Sequence, residues 1–151
     1  MYNIIIYVIV NDKYHMKILI MGLPGAGKTH FASRLQTHLK CAWFNADEIR
    51  KMANDWDFDS DARIRQANRM RNIADYESNL GRIVICDFVC PTAETRKIFN
   101  GDIIIWIDTI KSGRFEDTNR MFEIPDNYTH RIEHHMSDSE IEKFAIKHFL
   151  N

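Results

Sequence analysis

The sequence predicts an α/β domain: a doubly wound parallel sheet with helices on both faces, in three layers. Three observations carry that prediction. Short apolar runs alternate with helix-like segments from Lys17 onward, the pattern of repeated strand–helix–strand units. The run Ile18-Leu19-Ile20-Met21 is continuously apolar, as in a strand buried on both faces. It leads directly into the glycine-rich Gly22-Leu23-Pro24-Gly25-Ala26-Gly27-Lys28-Thr29, and an amphipathic segment follows.

The elements are read in order. Residues 1–15 form an N-terminal extension, read as an extra β-branched strand and a polar turn at residues 11–13. Residues 16–151 form the main domain. Residues 18–21 are the first strand of the sheet. Residues 29–40 carry Phe31, Leu35 and Leu39 at helical spacing. Residues 42–44 are a brief second strand and 47–54 a helix. Residues 60–80 are a long charged helix, capped by Ser60 or Asp61 and stopped by Gly81. Residues 82–86 and 102–107 are the third and fourth strands, with a short helix over 92–99 between them. Residues 112–121 mix charges and lack a core face, which reads as a lid. Residues 128–132 are a last strand, and Ser137 caps a C-terminal helix ending near Leu150.

Length and composition exclude several classes. The chain has 151 residues, of which 45% are hydrophobic and 27% charged, which fits one ordinary globular domain rather than disorder. A net charge of −1 argues against binding nucleic acid by bulk electrostatics. The longest apolar run, residues 4–10, is far short of the about 20 residues that span a membrane. A signal peptide is not expected either, so the expected location is cytoplasmic. Cys41, Cys86 and Cys90 form no paired motif and read as buried reduced thiols.

The glycine-rich segment fits G-x-x-x-x-G-K-[ST] in full, in the strand–loop–helix context that gives the motif meaning. Backbone N–H groups of Gly22, Pro24 to Gly27 and the helix start would surround the phosphates of ATP, Pro24 itself contributing shape rather than a donor. Lys28 would bridge the β- and γ-phosphates, and the Thr29 hydroxyl would hold Mg²⁺. No N-K-x-D guanine signature occurs, so a small-molecule or nucleotide kinase of the P-loop type is the default reading.

Groups at strand C-termini line the crevice of a doubly wound sheet. Asp47, just after the second strand, would accept the acceptor hydroxyl's proton or help hold Mg²⁺. Arg50 shares its helical face and suits an anionic acceptor. Asp87 ends the third strand and would lie near Mg²⁺. A lid arginine, Arg114 or Arg120, would neutralise charge developing in the transition state. Surface arginines are the reading for Arg65 and Arg71, and surface histidines rather than a zinc site for His130, His134 and His135.

The segments GLPGAGKT, FNADEIR, DFDSDARIRQANR, DFVCP and NRMFEIP together resemble the adenylyl-sulfate kinase family. That resemblance implies an ATP- and Mg²⁺-dependent kinase of the 3′-hydroxyl of adenosine 5′-phosphosulfate, acting in sulfate activation. It implies Asp47 as the catalytic aspartate, and Arg50 and Arg63 as substrate arginines. It implies Phe58 and Phe122 as aromatics stacking on the substrate adenine, with Gln66 at a further substrate position. The chain departs from the family's usual residues at four places: Asn45-Ala46 where an Asp-Gly is usual, Gln66 for Asn, Asp87 for Ser, and a lid without the lysine-rich sequence. Two alternatives stand beside this reading, a 5′-hydroxyl polynucleotide kinase or other nucleotide kinase of the same fold, and a non-catalytic nucleotide-binding module. The expected partner is a small nucleotide and no membrane, with nucleic acid only under the alternative reading and a homodimer left open.

Overall fold

A computed structural model describes residues 15–150; the strand and turn expected within residues 1–14 lie outside the described residues. Five strands form one sheet: β1 (Met16–Met21), β2 (Ala42–Asn45), β3 (Ile83–Asp87), β4 (Ile103–Ile107) and β5 (His130–Ile132). Their order is β2-β3-β1-β4-β5, and every neighbouring pair is parallel. Six helices connect or flank them: α1 (Lys28–Leu39), α2 (Ala46–Ala53), α3 (Ser60–Asn79), α4 (Ala93–Phe99), α5 (Glu116–Met121) and α6 (Asp138–Phe149).

The period-two alternation of β1 decides the layering. Ile18 and Ile20 point to one face, where they pack with Phe31 and Leu35 of α1 and Ile141 and Phe144 of α6. Leu19 and Met21 point to the other, against Ala67, Met70 and Ala74 of α3 and Phe99 of α4. All four β1 side chains are fully buried, each stabilising the fold by roughly 1.5–3 kcal/mol relative to exposure. Both faces are covered, which is the three-layer α/β architecture that the apolar run predicts.

Helix ends follow their local chemistry. The long helix starts one residue before the expected caps: the Asp59 side chain accepts from the Ala62 N–H, so Asp59 rather than Ser60 or Asp61 is its N-cap. At its other end Gly81 has φ +76°. The Gly81 N–H donates to Ser78 O at 2.9 Å and the Arg82 N–H to Glu77 O at 3.3 Å, the paired bonds of a Schellman stop. Thr92 and Ser137 each close a capping box, with Thr95 and Glu140. The last strand is shorter than the expected 128–132: only residues 130–132 pair with β4, and at Thr129 the Ile104 N–H is taken by the Thr129 hydroxyl at 3.0 Å instead of a backbone carbonyl.

Cys86 and Cys90 are buried and Cys41 is half-buried, all as free thiols. Burial pushes the Cys90 thiol up to about 12 and the Cys41 thiol to about 11, which keeps both in the unreactive protonated form. No helix among the described residues is long and apolar enough to cross a membrane.

Candidate active site

The parallel sheet brings the C-terminal ends of β1, β2 and β3 to one edge. The glycine-rich loop leaves β1 there, and α1 starts at Lys28 immediately after it. Gly22 has to be glycine: its φ is +151°, and a Cβ there would stand 2.5 Å from the Ile107 carbonyl oxygen. The loop therefore lies flush against β4. Gly27 sits at φ +102° as the N-cap of α1, which turns the loop into the helix and aims the helix N-terminus at the loop interior. Ala26 is buried, and its carbonyl accepts from the Thr109 hydroxyl at 2.6 Å, tying the loop to the segment after β4.

A cavity of about 580 Å³ opens beside this loop, a size suited to a small molecule. Pro24, Gly25, Gly27, Lys28 and Thr29 line one wall, while Asp47, Arg50, Phe58, Arg63 and Gln66 line the facing one, with Asp87 between them. Arg114 lines it from the lid side. The Lys28 ammonium donates to Leu23 O at 2.9 Å, folded back over the loop. Burial lowers its proton affinity to about 8, and the nearby Asp87 and Asp47 partly restore it.

Asp87 is the most heavily engaged of these groups. It is 1% exposed. It accepts from the Thr29 hydroxyl at 3.1 Å, from Asn45 Nδ2 at 3.0 Å and from the Trp43 indole N–H at 2.7 Å. Burial raises its proton affinity, and the three hydrogen bonds act against that shift. Asn45 and Asp87 are directly paired in the β2–β3 register. Asp47 stands exposed in the first turn of α2, one wall away from this cluster.

The site fits a hard divalent cation. Its donors are a hydroxyl and a carboxylate oxygen, Thr29 Oγ1 and Asp87 Oδ2, 3.1 Å apart. Octahedral Mg²⁺ holds oxygens at about 2.0–2.1 Å, which sets neighbouring ligands about 3 Å from each other. No group of three or more His, Cys, Asp or Glu with metal-binding geometry occurs among the described residues.

Arg50 and Arg63 are held rather than free. Arg50 is 2% exposed, and its Nη1 donates to Asp55 O and Asp57 O at 3.0 and 2.9 Å. Arg63 Nε donates to Phe58 O at 3.2 Å, and its Nη2 to the Thr118 hydroxyl of α5 at 2.8 Å. Both guanidiniums approach the Phe58 ring, at 4.5 and 5.0 Å from its centroid. Desolvation lowers the proton affinity of both arginines, yet they remain cations. Gln66 Nε2 donates to Ala46 O at 3.1 Å, so this side chain positions the start of α2.

Two expected site residues are not brought here. Phe122 packs on the face of α3 and α4 and lines a separate groove of about 260 Å³ with Trp106 and Tyr128. The reason is local: α5 ends at Met121, and Glu123 N–H bonds to Pro91 O at 2.8 Å, drawing the chain toward α4. Arg120 points outward, 3.5 Å from Glu116 on the same helix. Arg114 is the lid arginine at the cavity, with Phe115 beside it.

Sequence reasoning missed Trp43, Asp55, Phe115 and Thr118. Trp43 and Asn45 are two apart on one strand and so share a face, a signal that period two makes available. Asp55 receives Arg65 through both oxygens at 2.7 and 2.9 Å and Arg69 at 2.9 Å, a contact that joins three separate sequence positions. Arg65 is therefore an ion-pair partner and not merely a solvated surface charge. His30 also lines the cavity, its ring 4.9 Å from that of His135.

Comparison with known proteins agrees with this fold. A family profile described as adenylylsulphate kinase matches residues 15–104. The probable adenylyl-sulfate kinase of Aeropyrum pernix is 31% identical over 90 residues, which are 54% of this chain and 48% of that protein. The match thus spans about half the length of that relative. The structure of the Mycobacterium tuberculosis APS kinase in complex with AMPPNP and APS superposes with a TM-score of 0.74, at 18% identity, over 89% of this chain and 96% of that one. A sugar kinase from Janibacter sp. HTCC2649 superposes with a TM-score of 0.67, at 14% identity, over 89% and 94%. At these identities the superpositions establish the P-loop kinase fold, and that fold serves more than one acceptor.

Proposed function

Since the chain belongs to the adenylylsulphate kinase family, we propose that it transfers the γ-phosphate of ATP to the 3′-hydroxyl of adenosine 5′-phosphosulfate. The observation that carries this reading is the single cavity with phosphate-binding loop on one wall and Asp47, Arg50, Phe58 and Arg63 on the other. In this reading residues 16–151 are the kinase unit and residues 1–15 an extension to it.

The residues take the following roles. Loop N–H groups and the Lys28 ammonium hold the β- and γ-phosphates. Thr29 and Asp87 would hold Mg²⁺, with Asp47 within the same cavity, and a cation bound there would supply positive charge beside the phosphate oxygens. Arg50 and Arg63 bind the anionic end of the acceptor, and Phe58 presents an aromatic face to its base. Asp47 orients the 3′-hydroxyl and takes its proton. The hydroxyl oxygen bonds to the γ-phosphorus as the bond to the β,γ-bridging oxygen breaks, giving the 3′-phosphorylated nucleotide and ADP. Arg114 and Phe115 cover the reacting groups from the lid and exclude water.

The test offers purified protein, labelled ATP and Mg²⁺ with adenosine 5′-phosphosulfate and a 5′-hydroxyl oligonucleotide in parallel. Label on the sulfated nucleotide supports the proposal. Label on the oligonucleotide alone moves the assignment to a polynucleotide kinase, and ATP binding with no transfer to either acceptor overturns the acceptor assignment.

A further inference from the structure

We propose that Trp43 is a positioning residue for the divalent cation: its indole N–H, together with the Asn45 amide, fixes the Asp87 carboxylate beside Thr29. This rests on the reading of Thr29 and Asp87 as cation ligands, and goes beyond it by assigning a role to an aromatic residue outside the loop.

Asp87 is 1% exposed, and a buried carboxylate is stable only when its oxygens are met by donors or cations. Three residues on two elements supply those donors. Trp43 on β2 takes Oδ1 at 2.7 Å, and Thr29 on α1 meets Oδ2 at 3.1 Å. Asn45 Nδ2 reaches both oxygens, at 3.3 and 3.0 Å. An indole is a donor only. It cannot ligate a cation in place of Asp87, and its rigid ring leaves the bond little freedom. It therefore pins Oδ1 and leaves Oδ2 turned to Thr29.

The orientation of Asn45 is settled independently. Its Oδ1 accepts the Glu48 N–H at 3.1 Å as the N-cap of α2. The amide nitrogen must then face Asp87 and the Thr29 oxygen, which it reaches at 3.2 Å. The cap of the helix that carries Asp47 and the carboxylate of β3 are thus joined through one side chain. Trp43 closes the arrangement from the same face of the same strand, since Trp43 pairs with Ile85 and Asn45 with Asp87 in register.

The competing view is that Trp43 is a packing residue whose N–H merely finds the nearest acceptor. W43F separates the two, because it keeps an aromatic ring and removes the donor. With AMPPNP present, Mn²⁺ binding followed by electron paramagnetic resonance should weaken about tenfold or more in W43F, the worth of a hydrogen bond to a charged group. AMPPNP binding without metal should stay unchanged. D87N is measured alongside and should lose most Mn²⁺ affinity. Wild-type Mn²⁺ affinity in W43F, with that of D87N reduced, overturns the role of Trp43 and leaves the cation site standing. Wild-type affinity in D87N overturns the cation reading of Asp87 itself. Should W43F not fold, the W56F protein labelled with ¹⁵N keeps only the Trp43 and Trp106 indole signals. Adding Mg²⁺ to its AMPPNP complex should move one of them, and no movement of either overturns the proposal.

Discussion

At the scale of single residues, the proposed function divides the cavity's side chains into groups assigned to phosphate and groups assigned to the acceptor. The Lys28 ammonium is folded over the loop, and Asp47 is an exposed carboxylate lining the same cavity. Lys28→Ala and Asp47→Ala should each lower kcat by about 10²–10⁴, the usual cost of removing an electrostatic or proton-transfer group. Steady-state kinetics with circular dichroism as a folding control checks this, and a near-wild-type rate for Asp47→Ala would remove it from the chemistry. Phe58 behaves differently. Its ring meets the guanidiniums of Arg50 and Arg63. Phe58→Ala should therefore raise the acceptor KM about tenfold, since stacking on a base contributes roughly 1–3 kcal/mol, and leave the ATP KM unchanged. Equal effects on both substrates would place the ring outside the acceptor subsite. Lys28 and Thr29 were legible in the sequence because the loop that holds them is contiguous and its chemistry is backbone chemistry. Trp43 was not, because its role arises from register between two strands more than 40 residues apart.

At the scale of elements, the connection between α2 and α3 decides where the acceptor groups stand. Arg50 ties the loop from within by two backbone carbonyls, and Arg65 and Arg69 tie it from α3 through the Asp55 carboxylate. That pairing holds the Asp55 carboxyl well below the usual carboxylate range, first through the bonds from Arg65 and Arg69. The sign follows from linkage. A carboxylate whose folded value is depressed stabilises the fold above its unfolded value, about 3.9, and that contribution is lost as pH falls below it. Asp55→Asn should lower the melting temperature by a few degrees at pH 7. The difference from wild type should shrink steadily below about pH 4. Melting curves across pH 3 to 7 test this, and a constant difference down to pH 3 would show that the ion pairs are not its source. The helices were legible from apolar spacing and caps, but this clamp was not. Charged residues along α3 read as a solvated face until the turn after α2 brings Asp55 back against them. Phe122, which the family resemblance implies as a second stacking aromatic, lies along a separate groove with Trp106 and Tyr128, because the turn after α5 is drawn toward α4 by the Glu123–Pro91 bond, a contact that no local pattern announces.

At the scale of the whole molecule, the parallel sheet makes the cavity a meeting point of layers, and the lid is the part that completes it. The fold class followed from the buried strands, because alternation in β1 dictates two covered faces whatever the loops do. The lid carries no such periodicity, so its docking is visible only in space. It is held at both ends. Gly113 lies so close to Pro24 that a Cβ would come within 3.0 Å of its carbonyl oxygen, and the Asn119 side chain pins Gly113 by two hydrogen bonds. Across the cavity, Thr118 is 2% exposed and receives Arg63 at 2.8 Å. Arg63 thus both lines the cavity and bonds the 112–121 segment, so under the proposed function acceptor binding and closure share one guanidinium. A lid of this kind has two consequences for a phosphoryl transferase: it keeps water from the γ-phosphate and it aligns the acceptor. Thr118→Val keeps the shape of the side chain and removes the oxygen that Arg63 uses. We expect a more open lid, a several-fold rise in the acceptor KM, and more ATP hydrolysed per acceptor phosphorylated. The ratio of inorganic phosphate released to acceptor phosphorylated measures the last of these. An unchanged ratio together with an unchanged acceptor KM would mean that closure does not run through Arg63, and that the lid is held by its Gly113 end alone.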